Sequence, residues 1–261
     1  MKVNKSDLIS KLNEVGISKN STIIVHSSLS SFGYVEGGAP IVVDSLKELV
    51  GSEGNILMPT FTYSKGVFNQ GSSSLVGKIT EVFRKDKDVI RSKHPTHSVA
   101  VFGKDQKRLV RNHFYKEPFG IGSPWWNVWK MEGSIVLIGV DNTKNSFIHF
   151  VERLFELPYK RTVNVMYKDS FGKIAKRTIN GYPGDSLGFN KLNNLFEEQG
   201  IVKSTKIGNS NVLVMNTVDV VECLSKILVN DLYYLLCDRA DCYRCENAKN
   251  MIRESGYNEY A

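Results

Sequence analysis

Long apolar runs are missing from this chain of 261 residues: its most apolar stretch, Ser134 to Val140, falls far short of the roughly 20 residues that cross a bilayer. No membrane partner is therefore expected. Met1 to Leu8 carry lysines but no apolar segment of signal-peptide length, which predicts a cytoplasmic protein. Cysteine is equally scarce. The four present sit at 223, 237, 242 and 245, in the last sixth of the chain, so a disulfide framework distributed through the fold is excluded. There is no internal repeat, no low-complexity segment, no clear linker and no block of one charge; the nearest run, Arg84, Lys85 and Lys87, is broken by Asp86 and closed by Asp88. Lysine and arginine total 34 against 27 acidic residues, and the net charge of +7 suits anionic partners as well as it suits a dispersed soluble surface. A hydrophobic content of 41% is enough for a sizeable core and argues against disorder.

The periodicity of what is there points to an α/β fold. Asn4 can cap a first helix with apolar positions Leu8, Ile9, Leu12 and Val15, which Gly16 stops. Thr22 to Val25, Asn55 to Met58 and Ser134 to Val140 read as buried parallel strands, each a short β-branched or aliphatic run. A helix opened by Gly37, Gly38 and Pro40 runs to about Val50, and another spans about Asn145 to Leu157. After Pro158 the texture changes: Arg161 to Tyr167 and Lys173 to Ile179 flank a turn at Asp169 to Gly172 and predict an antiparallel extension. A helix near Leu187 to Gln199, a strand pair around Val202 to Met215 and a final helix from Val218 to Leu236 complete the pattern. The expectation is a mixed, largely parallel central sheet flanked by helices, with residues 1–236 as one domain and 237–261 as a cysteine-containing tail.

Four groups of residues carry candidate chemistry. His26, Ser27, Ser28, Leu29, Ser30 and Ser31 leave the end of the first strand as a hydroxyl-rich loop, and the helix begun at Pro40 can aim its positive end at the same place; an anion cradle and an ordinary polar turn both fit. His94-Pro95-Thr96-His97-Ser98 holds two imidazoles and two hydroxyls in five residues, but the proline argues against a ligand-bearing helix. Gly120 to Pro124 leads into Trp125, Trp126 and Trp129, with Ser123 placed to cap a helix. His149 and Glu152 lie three apart on one helix face, where the carboxylate can hold one imidazole nitrogen and leave the other as a general base; a surface ion pair is the alternative.

Taken together, Val25-His26-Ser27-Ser28-Leu29-Ser30-Ser31-x-Gly33, Gly37-Gly38-Ala39, Met58-Pro59-Thr60, His94-Pro95-Thr96-His97-Ser98, Phe119-Gly120-x-Gly122-Ser123-Pro124 and Asn145-Ser146-x-x-His149-x-x-Glu152 resemble, in order and spacing, the aminoglycoside 3-N-acetyltransferase family. The likeness is strong to about Arg161 and weak beyond. The resemblance implies a cytoplasmic CoA-dependent N-acyltransferase in which acyl-CoA and an amino sugar meet in one cleft. It implies CoA contacts at His26, Ser27, Ser28 and Ser30, with Thr60, Ser98 and Ser123 nearby, and a general base at His149 oriented by Glu152. An oxyanion would be steadied by the Ser27-Ser28 loop.

Two departures bear on this reading. The chain is basic, and the segment between Tyr63 and Val89 looks short for loops that gather a polycationic drug, so the expected acceptor is a nucleotide-linked amino sugar of surface polysaccharide or lipopolysaccharide synthesis. An aminoglycoside, and hence antibiotic resistance, is the alternative. The second departure is the tail: Cys237-x4-Cys242-x2-Cys245 can hold a structural zinc if a fourth ligand joins. Cys223 is the obvious choice, although it stands about 21 Å from Cys237 along an unbroken helix; Asp238, Asp241, a distant histidine or no metal are the other options. A basic nucleic-acid-binding protein with a zinc module is the rival from another class, but aromatic and basic residues are not interleaved in any such motif, and no nucleic-acid partner is expected. A homo-oligomer is left open.

Overall fold

A computed structural model describes residues 2–63, 65–182 and 184–256, except for the side chain of Tyr182. Its centre is a seven-stranded sheet in the order Lys203–Ile207, Ser210–Asn216, Ser134–Ile138, Thr22–Ser27, Asn55–Pro59, Val99–Gly103, Ile90–Arg91. The three middle strands are parallel to one another, Thr22–Ser27 lying between Ser134–Ile138 and Asn55–Pro59; on both flanks each strand joins its neighbour by antiparallel pairing. The mixed α/β sheet expected from the sequence is thus present, with its parallel part confined to the middle.

Side-chain alternation explains why the middle of each of these three strands is an unbroken apolar run. Ile24, Leu57, Ile135 and Leu137 enter the core on one face, whereas Ile23, Val25, Ile56, Met58, Val136 and Ile138 enter the core on the other. Both faces must then be covered. The helices Lys5–Glu14 and Gly38–Val50 cover the second face through Leu8, Leu12, Val42, Val43 and Leu46. The opposite face is covered by Pro124–Lys130, Phe147–Leu154, Leu192–Glu198, Thr217–Leu228 and Tyr243–Glu254. Asn4 caps the first helix as expected, its side chain accepting from the Asp7 N–H at 3.0 Å while Asp7 reciprocates.

The predicted hairpin forms from Arg161–Lys168 and Ile174–Tyr182 across the Asp169 to Gly172 turn, and the short strand Val67–Phe68 adds to it in parallel. The predicted final helix does not run to Leu236. It ends at Leu228, the chain turns through 229–242, and a separate helix occupies Tyr243–Glu254. This break returns Leu235, Leu236, Cys237, Cys242, Cys245, Ala248 and Ile252 to the core that holds Val128 and Phe150. None of the helices among the described residues is long and apolar enough to cross a membrane.

Candidate active site

A cleft of about 1200 Å³ opens where the parallel strands end, lined there by His26, Ser27, Pro59, Phe61 and Val140. Loops gather at these carboxyl ends because the strands deliver them there together, which is where open α/β sheets bind ligands. The Ser134–Ile138 strand leaves through Gly139, whose φ of +65° and close approach to the Ser31 and Ser210 hydroxyls leave no room for a side chain. Asp141 then accepts from the Thr143 N–H at 2.9 Å, and the Asn145 side chain accepts from the Phe147 N–H at 3.1 Å, starting the helix Phe147–Leu154. Asn145 is itself fixed by donating to Asn142 at 2.9 Å.

That helix presents His149 to the cleft. His149 Nδ1 and Glu152 Oε2 are 2.6 Å apart, and both side chains are buried. The carboxylate engages Nδ1 and leaves Nε2 of the ring outside this pairing. The second oxygen of Glu152 accepts from the Tyr159 hydroxyl at 3.1 Å. Burial, reinforced by the Glu152 carboxylate, pushes Tyr159 well above its usual range, so the phenol stays a donor. Phe119 and Phe189 pack against the imidazole with ring centroids at 5.4 and 4.9 Å. The ring is therefore held by a hydrogen bond at one nitrogen and by aromatic packing on its sides.

His26 occupies the neighbouring strand end. Its Nε2 accepts from the Ser146 N–H at 3.1 Å and lies 2.8 Å from the Ser146 hydroxyl, which in turn accepts from Trp125 Nε1 at 3.1 Å. Burial pushes His26 down to about 3, so it is a neutral imidazole protonated at Nδ1. Both Nδ1 of His26 and the hydroxyl of Ser27 are buried without a partner among the described residues. Ser28 and Ser30 also line the cleft, with their hydroxyls 3.1 Å apart. The Ser28 N–H donates to the Ile138 carbonyl at 2.9 Å, which leaves the hydroxyls of the Ser27-Ser28 loop rather than this N–H to meet a ligand. Nor does the first turn of the Gly38–Val50 helix line the cleft.

Thr60, Ser98 and Ser123 are fully buried and do not line the cleft. The Thr60 and Ser98 hydroxyls are 2.9 Å apart and both accept from Arg91 Nε, at 3.2 and 3.0 Å. Ser123 caps the helix Pro124–Lys130 by accepting from the Trp126 N–H at 3.3 Å, the role its position before Pro124 predicted. Of the histidine motif, His97 reaches the cleft and His94 stacks on His113 with centroids 4.8 Å apart. Burial first, and neighbouring imidazoles second, hold His94 and His97 well below the usual histidine range.

Several cleft residues carry no motif in the sequence. Among the described residues, Lys65, Lys78, Lys144, Arg161 and Arg244 bring cations to the lining, against the single carboxylate of Asp185. Asp185 also belongs to a cluster with Cys237, Cys242 and Cys245 in which one ligand atom from each residue lies within 4.8 Å of all the others. Cys223 is not part of it. It stays half-buried on the helix Thr217–Leu228, beside a small surface hollow shared with Asp219 and Lys226, because the helix ends before Cys237 and the chain turns away. Tyr159 was likewise invisible beforehand. Seven residues beyond Glu152, it meets the carboxylate only because the helix stops at Leu154, Glu156 takes a left-handed φ of +51° and the chain folds back.

The chain is 25% identical over 257 residues to the SPbeta prophage-derived aminoglycoside N(3')-acetyltransferase-like protein YokD of Bacillus subtilis, covering 87% of this chain and 93% of that protein. A histidine-to-alanine mutant of aminoglycoside acetyltransferase AAC(3)-IVa, solved in complex with a gentamicin, superposes with a TM-score of 0.88 at 22% identity over 97% of this chain and 98% of that one. AAC-IIIb, solved as a binary complex with CoASH, gives a TM-score of 0.78 at 19% identity over 87% of this chain and 97% of its own. At these identities the two structures establish a common fold. Residues 24–229 match the model of the aminoglycoside 3-N-acetyltransferase family, and the chain belongs to that family.

Proposed function

We propose that this chain is a CoA-dependent N-acetyltransferase that acts on an amine of an aminoglycoside, with His149 as general base. The observation that carries this reading is the Tyr159–Glu152–His149 relay at the wall of the cleft. Nε2 of His149 removes a proton from the acceptor amine as the nitrogen attacks the thioester carbonyl. The tetrahedral adduct collapses by breaking its C–S bond, and the imidazolium returns the proton to the departing thiolate, giving the amide and CoASH. Glu152 keeps Nδ1 protonated and stabilises the imidazolium. No covalent enzyme intermediate is required.

His26, Ser27, Ser28 and Ser30 supply the polar surface for the acyl-CoA. Ser27, whose hydroxyl has no partner among the described residues, is the candidate donor to the oxyanion, an interaction worth about 3 kcal/mol when preorganised. Thr60, Ser98 and Ser123 act by holding the loops beneath this surface. CoA bound to AAC-IIIb and a gentamicin bound to AAC(3)-IVa support the choice of donor and acceptor.

One observation favours a second acceptor. Among the described residues five cationic side chains line the cleft against one carboxylate, which suits phosphates better than a polycation and keeps a nucleotide-linked amino sugar as the second reading. CoA phosphates account for part of that charge, and family membership weighs toward the aminoglycoside. The test is release of free thiol from acetyl-CoA and from 3-hydroxybutyryl-CoA with panels of aminoglycosides and nucleotide-linked amino sugars. Turnover with aminoglycosides is the expected result; turnover confined to nucleotide sugars would transfer the protein to glycan synthesis, and none with either panel would overturn both acceptors.

A further inference from the structure

The tail cysteines contribute nothing to the chemistry above, yet the fold collects three of them around one acid. Cys237 sits at the end of the turn that follows Leu228, Cys242 precedes the helix Tyr243–Glu254, and Cys245 lies in that helix's first turn. Asp185 comes from the opposite side, immediately before the 3-10 turn Leu187–Lys191. All three thiols are free and at most 9% exposed.

We propose that Asp185, Cys237, Cys242 and Cys245 form a zinc site that pins the C-terminal segment to the wall of the cleft. Tetrahedral zinc with bonds near 2.3 Å requires sulfurs about 3.8 Å apart, and the four donor atoms already fall within 4.8 Å of one another. The backbone also meets the cluster: the Cys237 N–H donates to Cys245 Sγ at 3.3 Å, the kind of outer contact that orients a thiolate ligand. Arg239 closes the loop between the first two cysteines with a two-pronged bond to Asp241, at 3.0 and 2.7 Å. The 3.0 Å contact between Cys242 Sγ and Asp185 Oδ2 marks the carboxylate as the fourth donor, in the place the sequence had suggested for Cys223.

Four protein donors fill a tetrahedral shell and leave no position for water, so the site is structural. Its location nevertheless ties it to the active site. Asp185 and Arg244, one of the two residues between Cys242 and Cys245, both line the cleft. Gly188, in the turn after Asp185, packs so closely on Leu235, Leu236 and Cys237 that a side chain would collide with their backbone. One residue on, the Phe189 ring packs at a tilt against His149, with centroids 4.9 Å apart. The zinc therefore fixes the segment that supports the catalytic imidazole, whichever acceptor is used.

The test is metal analysis of the full chain. Protein loaded with zinc and passed over a chelating resin is assayed by mass spectrometry of the metal, by thiol reactivity, and by absorption after exchange for cobalt. Expected are one zinc per chain, three thiols protected until denaturation, Cys223 reactive, and cobalt bands diagnostic of thiolate ligands in a tetrahedral field. Cys242→Ser and Asp185→Ala should each weaken zinc retention at least about tenfold in competition with a chelator. Wild-type protein that retains no zinc, or that carries a disulfide among the three cysteines, overturns the site; full retention in the Asp185→Ala protein overturns the fourth ligand.

Discussion

The Tyr159 hydroxyl donates to Glu152 Oε1 at 3.1 Å, while His149 Nδ1 engages the other oxygen of the same carboxylate at 2.6 Å. Glu152 is thereby oriented from both sides, and Tyr159 acts on His149 only through it. Tyr159→Phe removes one donor from a buried carboxylate, a loss on the order of 1.5 kcal/mol. The expected outcome is a kcat about tenfold lower with the KM for acetyl-CoA unchanged. Wild-type kcat in this variant would show that Glu152 is held without the phenol.

His149→Ala is expected to lower turnover by about a hundredfold or more, the usual loss of a general base, while acetyl-CoA still binds as judged by calorimetry. Unchanged turnover would remove His149 from the reaction.

Four buried imidazoles make the fold sensitive to acid. Burial lowers His26 and His113 to about 3 and holds His94 and His97 well below the usual range, whereas in the unfolded chain each protonates near 6.5. Below pH 6.5 the unfolded chain therefore binds more protons than the folded one, and stability falls as pH falls toward 3; above pH 6.5 these groups contribute no slope. Each group costs about 1.4 kcal/mol per pH unit inside that window. Melting temperature measured from pH 8 to pH 5 should be flat at first and then decline. A profile that rises on acidification would mean that these imidazoles are charged in the fold.

Arg91 should prove structural, and with it Thr60 and Ser98. Its guanidinium donates to both hydroxyls, to the Thr60 carbonyl at 2.8 Å, to the Gln70 carbonyl at 3.1 Å and to that of Ser72. Arg91→Ala is expected to reduce unfolding free energy by about 3 kcal/mol and Ser98→Ala by about 1 kcal/mol, read from denaturant titrations. The KM for acetyl-CoA should not change in Ser98→Ala. A raised KM with normal stability would return Ser98 to the cosubstrate surface.

The part of this protein written in its sequence is the part that depends on near neighbours. Three aliphatic runs fixed the parallel centre of the sheet, since strands buried on both faces need apolar residues at every position. The spacing of His149 and Glu152 fixed their pairing, since residues three apart on a helix share a face. Ser123 and Asn4 were recognisable as caps for the same local reason. Tertiary structure alone decided what meets across chain reversals. It folded Tyr159 back onto Glu152, enlisted Thr60 and Ser98 to hold Arg91, ended the penultimate helix at Leu228, and brought Asp185 rather than Cys223 to three cysteines more than fifty residues away. Such contacts are selected by packing of the whole core, a long-range energy that leaves no periodic mark on the residues that make them.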